Sequence, residues 1–186
     1  MEKVMVGKIA VGASPAVIAG AMVNGKPNFL TLGNYGGISP RPIPLVYISV
    51  NKAHYTNAGI KENRCFTVNW PSKDLVQKTD YVGLVSGREV DKAKLFRVFY
   101  GSMDKAPMIE ECPINIVCKL SQIVDLPTQE IFIGEIVETF VNKDCCDGNN
   151  KPVLVSINPI MIGGGAYWEL GKRAGDAFKD GKALMR

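Results

Sequence analysis

A short polar segment of the chain carries several side chains that commonly bind anions. They are Ser49, Asn51, Lys52, His54 and Thr56. Lysine supplies a full positive charge, and the hydroxyl, amide and imidazole groups supply directed hydrogen bonds. If Thr56 opens a helix, the free N–H groups of its first turn add a partial positive charge. These residue types together favour binding of a phosphate group.

The same segment also has a purely structural interpretation. Thr56 could cap a helix over Asn57–Glu62 by accepting hydrogen bonds from its first turn. Lys52 and His54 would then be ordinary solvated surface residues. The residue pattern alone leaves both interpretations open.

A second group of residues precedes this segment and has the properties needed to contact a flat ring. Thr31 lies near the end of an apolar run. We expect a loop rich in Gly and Pro over Gly33–Pro44, which begins with Gly33, Asn34 and Tyr35. Small residues leave backbone N–H groups accessible to the polar edge of a ring. The Thr31 hydroxyl could approach a ring nitrogen, and Tyr35 could stack. A simple Gly-rich turn after a strand is the alternative.

A third group follows later in the chain, where Ser86 and Gly87 form a loop that precedes Lys92. A lysine held near the ring or the phosphate of a ligand would stabilise negative charge there. A surface loop with a weak ion pair is the alternative. A flat ring with a polar edge, joined to a phosphate, describes flavin mononucleotide (FMN), which is the cofactor that these three groups predict together.

Motifs for other nucleotide-binding or hydrolytic folds are missing. The sequence has no GxGxxG after a strand, no GxxxxGK[ST] and no GxSxG. The triplet Gly163-Gly164-Gly165 lacks a strand-to-helix context, and we interpret it as a flexible connector. One histidine and five cysteines without CxxC predict free thiols and no metal site.

Length and charge narrow the function further. A chain of 186 residues fits one domain, which we expect to span residues 1–186. The net charge of +4 is spread without a Lys/Arg run, which disfavours nucleic-acid binding. The apolar stretch Ile9–Val23 is interrupted by Gly12, Pro15 and Gly20, so we expect neither a signal peptide nor a membrane span and predict a cytoplasmic protein.

The hydrophobic pattern predicts a mainly β protein with a few short helices. Asn24-Gly25 between two apolar runs is a strong hairpin signal. Helical spacing predicts a helix over Lys73–Gly83, and one or two helical turns are expected within Asp91–Phe96. The predicted strands include Leu45–Val50, Arg64–Asn69, Ile114–Val124, Glu130–Phe140 with a bulge at Gly134, and Val153–Ile157. Many short strands with few helices favour a β-barrel or sandwich.

Taken in order, these segments resemble the flavin reductase-like, FMN-binding split-barrel family. The resemblance covers roughly Lys8 to Gly171. It is carried by the motifs Asn28–Thr31, Ile38–Pro44, Val46–Val50, His54–Asn57, Cys65–Asn69, Ser86–Lys92 and Ile133–Val137.

This resemblance implies an antiparallel, Greek-key split barrel that forms a homodimer and holds FMN noncovalently near the subunit interface. It places Thr31 near flavin N5, and it places a C-terminal aromatic, Tyr167, over the site. The complete set of cofactor-binding residues that we predict is Thr31, Gly33, Asn34, Tyr35, Ser49, Val50, Asn51, Lys52, His54, Thr56, Ser86, Gly87, Lys92 and Tyr167.

Three functions remain open from the sequence. The first is electron transfer by bound FMN with a redox partner protein. The second is an NAD(P)H:flavin oxidoreductase that transfers hydride to flavin N5. The third is a binding module that uses the same barrel without redox chemistry.

Overall fold

The computed structural model describes residues 1–185 and contains twelve strands and three α-helices. The strands are β1 (Ser14–Pro15), β2 (Val17–Val23), β3 (Lys26–Leu32), β4 (Tyr35–Ser39), β5 (Leu45–Asn51), β6 (Cys65–Trp70), β7 (Val98–Phe99), β8 (Met108–Ile109), β9 (Ile114–Asp125), β10 (Gln129–Val141), β11 (Ile160–Gly163) and β12 (Ala166–Glu169). The α-helices are α1 (Tyr55–Asn63), α2 (Val76–Leu84) and α3 (Leu154–Ile157).

Seven of the strands form one antiparallel sheet in the order β3-β2-β6-β9-β10-β5-β4. Its inner face encloses the main apolar core, which includes Ile48, Ile60, Phe66 and Phe132 at no measurable exposure. A smaller sheet, in the order β1-β11-β12, packs at the edge, and β7 pairs with β8. The mainly β split-barrel architecture predicted from the sequence is confirmed.

The first hairpin has the turn that its sequence predicts. Strands β2 and β3 pair in register from Val17 opposite Leu32 to Val23 opposite Lys26. Asn24 and Gly25 both have positive φ angles, 50° and 74°. A type I′ turn requires this conformation at both central residues.

The two longest strands, β9 and β10, pair along most of their length. Their register shifts between Ile133 and Gly134 and again between Ile136 and Glu138. A Cβ at residue 134 would collide with the Phe66 ring and Cys118. A bulge therefore lies beside Gly134, but its extra residue is Ser121 on β9, and the bulged residue of β10 is Val137. Gly134 instead lets β10 approach the core closely.

Helix α1 contributes Ile60 to the main core, and α2 packs against β3. A 3₁₀ turn over Lys73–Leu75 leads into α2, which confirms the helix predicted over Lys73–Gly83. Another 3₁₀ helix spans Lys92–Leu95, within the predicted segment Asp91–Phe96. Within residues 1–185, no helix is long and apolar enough to cross a membrane.

Three predictions about local structure were wrong. The loop expected over Gly33–Pro44 contains strand β4, because its backbone pairs with β5. The strand expected over Val153–Ile157 is helix α3, which ends at Asn158 in the left-handed conformation. The triplet Gly163-Gly164-Gly165 is no flexible connector, since Gly164 and Gly165 form the positive-φ turn between β11 and β12.

Gly59 sets the distance between α1 and the barrel. A Cβ at this position would overlap the Met22 carbonyl oxygen and contact Val23. We expect Gly59→Ala to lower the free energy of unfolding by about 1–3 kcal/mol, because the helix must move away from β2. Urea titration measures this loss, with Gly148→Ala as the control because nothing lies within 4 Å of its added Cβ. Equal stability of both variants would contradict the close approach.

Candidate functional site

Two neighbouring cavities lie where α1, α2 and the segment between α2 and residue 92 meet the edge of the barrel. The first, which we call the helix cavity, has a volume of about 260 Å³ and is lined by Leu30, Ala53, His54, Tyr55, Thr56, Gly83, Leu84, Val85, Ser86, Gly87, Arg88 and Lys92. The second, the strand cavity, has a volume of about 270 Å³ and is lined by Val23, Lys26, Pro27, Asn28, Tyr55, Gly87, Arg88, Glu89, Val90, Asp91 and Lys92. The two cavities share four lining residues and are therefore adjacent.

The N-terminus of α1 opens into the helix cavity. The N-cap residue is His54, and its side chain makes no hydrogen bond to the helix end. The prediction that Thr56 caps this helix was wrong, because Thr56 lies one residue inside α1 and accepts a hydrogen bond from Asn28 instead. The first N–H groups of the helix are therefore not capped by a side chain and can bind an anion.

A buried cation lies on the opposite wall. Lys92 is only 3% exposed, and its Nζ donates to the Val82 carbonyl at 2.7 Å. An ammonium group has three protons to donate, and within residues 1–185 this is the one hydrogen bond recorded for it. Burial lowers the pKa of Lys92 to about 8, because the charged form loses its hydration. An anionic ligand in the cavity would relieve this cost.

The loop between α2 and Lys92 closes the region above α1. The Ser86 hydroxyl oxygen accepts from the backbone N–H of Arg88 at 3.2 Å. The Arg88 guanidinium donates to the Ala53 carbonyl at 3.1 Å and lies 5.3 Å from the centre of the Tyr55 ring. Gly87 fits against Asn28 and Tyr55 with no room for a Cβ. The loop is thus held onto the start of α1 by backbone and aromatic contacts.

The His54 imidazole lies at the rim of the helix cavity. Partial burial lowers its pKa, and the nearby charge of Lys92 lowers it further. Both effects favour the neutral imidazole, which can contribute a hydrogen bond to a ligand.

Thr31 lies just outside this cavity. Side chains alternate along β3, so Thr31 is on the opposite face from Leu30, which lines the cavity. Its hydroxyl donates to the Thr79 carbonyl, and the half-buried side chain packs behind Gly83. With its proton already donated, Thr31 Oγ1 can only accept a hydrogen bond from a ligand.

The three predicted loop residues after Thr31 lie apart from both cavities. Gly33 packs against Ile162 and accepts a hydrogen bond from the Ser14 hydroxyl at 2.5 Å. The exposed Asn34 accepts from the Ser49 N–H through its carbonyl. The ring of Tyr35 packs edge-on against Trp70, with 5.5 Å between ring centres, as part of the barrel core. The Tyr35 ring is therefore not placed to stack on a ligand in the cavities.

The residues predicted on β5 and directly after it are only partly near the site. Val50 is fully buried in the core, so only its backbone could contact a ligand. Ser49 is half-buried on the strand, and the Asn51 side chain accepts from the Ala53 N–H at 2.9 Å. Lys52 forms an exposed ion pair with Asp125 at 2.5 Å and points to solvent. In this segment, Asn51 shapes the turn into α1, and it is the residues after Lys52 that line the cavity.

Tyr167 lies on β12 beside α2. Its hydroxyl donates to Asp80 Oδ1 at 3.1 Å. Burial, together with this hydrogen bond to a carboxylate, raises the pKa of Tyr167 to about 12. Tyr167 does not line either of the two cavities in this single chain.

Five of the predicted residues therefore come together: His54, Thr56, Ser86, Gly87 and Lys92. Sequence reasoning missed Asn28, Tyr55 and Arg88 as members of the site. Asn28 was missed because it lies within a strand and not in one of the predicted loops. Arg88 was missed because an exposed arginine next to a glycine forms no pattern that indicates a binding site. Within the described chain, no group of three or more His, Cys, Asp or Glu side chains is arranged to hold a metal ion.

Comparison with known families and structures gives concordant results. The family model described as "Flavin reductase like domain" matches residues 11–160. The crystal structure of a flavoredoxin from Methanosarcina acetivorans is 39% identical, superposes with a TM-score of 0.94 and is covered completely by this chain. The flavoredoxin of Desulfovibrio vulgaris is 28% identical with a TM-score of 0.90, over 97% of this chain and 100% of that one.

More distant matches agree in fold. An FMN-binding protein of Thermus thermophilus is 19% identical with a TM-score of 0.79, over 95% of this chain and 97% of that one. Among curated proteins, an uncharacterized protein of Archaeoglobus fulgidus is 31% identical over 114 residues. That alignment covers 60% of this chain and 64% of the relative's length.

Proposed function

Because the chain belongs to the family of flavin reductase-like domains, we propose that it holds FMN noncovalently and transfers electrons with it. A flavin is the cofactor class of this family, and the flavoredoxins of M. acetivorans and D. vulgaris are the relatives that favour electron transfer. FMN itself accepts and releases the electrons, while the protein binds it and adjusts its potential.

The buried Lys92 beside the uncapped start of α1 is the observation that carries this proposal. Lys92 is 3% exposed and its ammonium group donates to one carbonyl. Burial of such a charge costs free energy unless an anion lies nearby. The residues fit a flavin phosphate, since Lys92 supplies charge and α1 supplies N–H groups. Thr56 and the Ser86-Gly87 loop would complete this phosphate site, and the adjoining face of β3 and α2 would contact the ring.

The absorption spectrum of the purified protein tests the cofactor. We expect the two visible flavin bands, release of FMN on heating, and tighter binding of FMN than of riboflavin by isothermal titration. A colourless protein that does not bind added FMN would support the binding-module alternative and contradict the proposal.

Stopped-flow mixing distinguishes an electron carrier from a reductase. The FMN-loaded protein is mixed with NADH or NADPH, and the visible bands are followed. Bleaching only after addition of a reduced redox protein supports the carrier. Rapid bleaching by either pyridine nucleotide supports an NAD(P)H:flavin oxidoreductase instead.

We also propose that the protein works as a homodimer in the cytoplasm. Large apolar side chains are exposed along the N-terminal segment and near β12, among them Ile9, Val11, Val155 and Trp168. Such exposure is typical of surfaces that are covered in an assembly. The five cysteines are free thiols, which agrees with a reducing compartment. Analytical ultracentrifugation would detect the dimer, and a monomer at micromolar concentration would argue against it.

Substitution of Thr31 tests how the protein adjusts the midpoint potential of the flavin. We propose that it lies beside flavin N5, which carries a proton only in the reduced ring. Thr31 Oγ1 already donates to Thr79, so it would accept from the reduced ring and favour it. We expect Thr31→Val to lower the midpoint potential by about 10–30 mV. Spectroelectrochemistry measures this shift, with the exposed Thr128→Val as the control; an unchanged or raised potential would place Thr31 away from N5.

A further inference from the structure

Asn28 lies at the wall between the two cavities and makes a buried contact with Thr56. The residue is on β3, is 4% exposed and lines the strand cavity. Its side-chain Nδ2 donates to Thr56 Oγ1 at 2.7 Å. Thr56 is 1% exposed and lines the helix cavity. One amide group therefore connects the strand to the anion site on the helix.

This contact determines how the Thr56 hydroxyl is used. A threonine hydroxyl has one proton to donate and lone pairs to accept with. Because the oxygen accepts from Asn28, the proton must point in another direction. Threonine inside a helix often donates to the carbonyl four residues earlier, but the structure records no donated bond from Thr56 within residues 1–185. The remaining direction is the helix cavity, where Lys92 is also a donor.

The position of the Asn28 amide is fixed on its other side. A Cβ at residue 87 would overlap Asn28 Oδ1, which shows how closely the Ser86-Gly87 loop packs on this side chain. The loop, in turn, is held to α1 by Arg88. Asn28 is thus confined between the two elements that form the helix cavity.

We infer that Asn28 is a positioning residue for phosphate recognition. By donating to Thr56, its amide directs the Thr56 proton into the helix cavity, where it can bond to a phosphate oxygen. This inference rests on the proposed function, since it assigns a role within the same flavin site. It also explains why an asparagine, and not a carboxylate of the same shape, suits this position.

Asn28→Asp provides the sharpest test. Aspartate has nearly the same shape but can only accept, so it would take the Thr56 proton and add a negative charge beside the phosphate. We expect FMN binding to weaken about a hundredfold. Binding of riboflavin, which has the same ring without the phosphate, is expected to stay within about twofold of the wild-type value. Asn149→Asp is the matched control, because it makes the same charge change on an exposed side chain for which no hydrogen bond is recorded within residues 1–185.

A double-mutant cycle gives a second, independent measurement. Thr56→Val removes the hydroxyl and is expected to weaken FMN binding by about tenfold, whereas Thr56→Ser should bind FMN like the wild type. Asn28→Ala should weaken FMN binding on its own but add nothing in the Thr56→Val background, because its effect acts through that hydroxyl. Thermal unfolding of each flavin-free variant identifies any variant that does not fold.

Each outcome has a defined consequence. Equal weakening of FMN and riboflavin binding by Asn28→Asp would overturn the inference, because it would indicate a merely structural role. Additive effects of Asn28→Ala and Thr56→Val would overturn it as well. Wild-type protein that binds neither flavin would instead overturn the proposed function, and this result is distinct from the other two.

Discussion

Replacing Lys92 with methionine is expected to weaken FMN binding by about a hundredfold or more. The Lys92 ammonium is 3% exposed and has one recorded acceptor within residues 1–185, the Val82 carbonyl. An anion in the helix cavity would receive both the charge and the remaining protons of this group. In a site that is shielded from water, such a contact contributes more than it would on the surface.

The fold is expected to tolerate this substitution. Methionine is unbranched and apolar, and it removes a charge whose burial is unfavourable, as the lowered pKa of Lys92 indicates. The melting temperature of the flavin-free variant should stay close to that of the wild type, because removal of the buried charge offsets the hydrogen bond that the Val82 carbonyl loses. A loss of FMN binding then reports on the site and not on unfolding.

Lys94→Met is the matched control, because Lys94 is exposed on the same 3₁₀ helix. This substitution removes the same charge two residues further along the chain. We expect its effect on the FMN dissociation constant, measured by titration of flavin fluorescence, to be less than about threefold. Similar affinities for both variants would exclude Lys92 from the flavin site.

Much of the barrel could be predicted from the sequence because its strands carry local signals. Asn24-Gly25 specifies its turn through the φ angles that these residues tolerate. Strands β9 and β10 carry enough apolar residues for their type to be recognised, and Gly134 indicates that their register breaks nearby. In each case the residues of the segment itself carry the signal that was recognised.

The errors occurred where the residues of a segment do not specify its structure without their neighbours. Gly36 and Gly37 favour no strand on their own, but the backbone of β5 pairs with them, and the Tyr47 ring packs over Gly36. Leu154 and Val155 read as strand residues by composition, yet they are exposed on a single helical turn. A short apolar run does not distinguish the two structures without its neighbours.

The candidate site also contains residues that were predicted from their own chemistry and residues whose part depends on contacts elsewhere in the chain. Thr56, Ser86 and Lys92 were predicted because their chemistry suits an anion, and the structure brings all three to the helix cavity. Asn28 could not be predicted, because its role depends on a hydrogen bond to Thr56, which is 28 residues away. Tyr35 was predicted at the site from its aromatic ring, but its strand turns that ring toward Trp70 in the core.

FMN affinity is expected to fall as the pH rises above 8. Burial lowers the pKa of Lys92 to about 8 in the free protein, so the ammonium form is lost progressively above this value. A bound phosphate favours the charged form and raises the pKa of Lys92 in the complex. Binding therefore takes up a proton in this range, and the dissociation constant should rise by up to about tenfold per pH unit.

Titration of FMN binding between about pH 7 and 9.5 tests this expectation, since in the free protein the lowered pKa of His54 moves the titration of that residue further below this range. We expect a dissociation constant that is nearly flat up to about pH 7.5 and then increases, and calorimetry in buffers of different ionisation enthalpy should show the uptake of a proton. In Lys92→Met the weaker binding should be independent of pH over this range. The same pH dependence in Lys92→Met as in the wild type would assign the titration to another group, because methionine has no proton to lose.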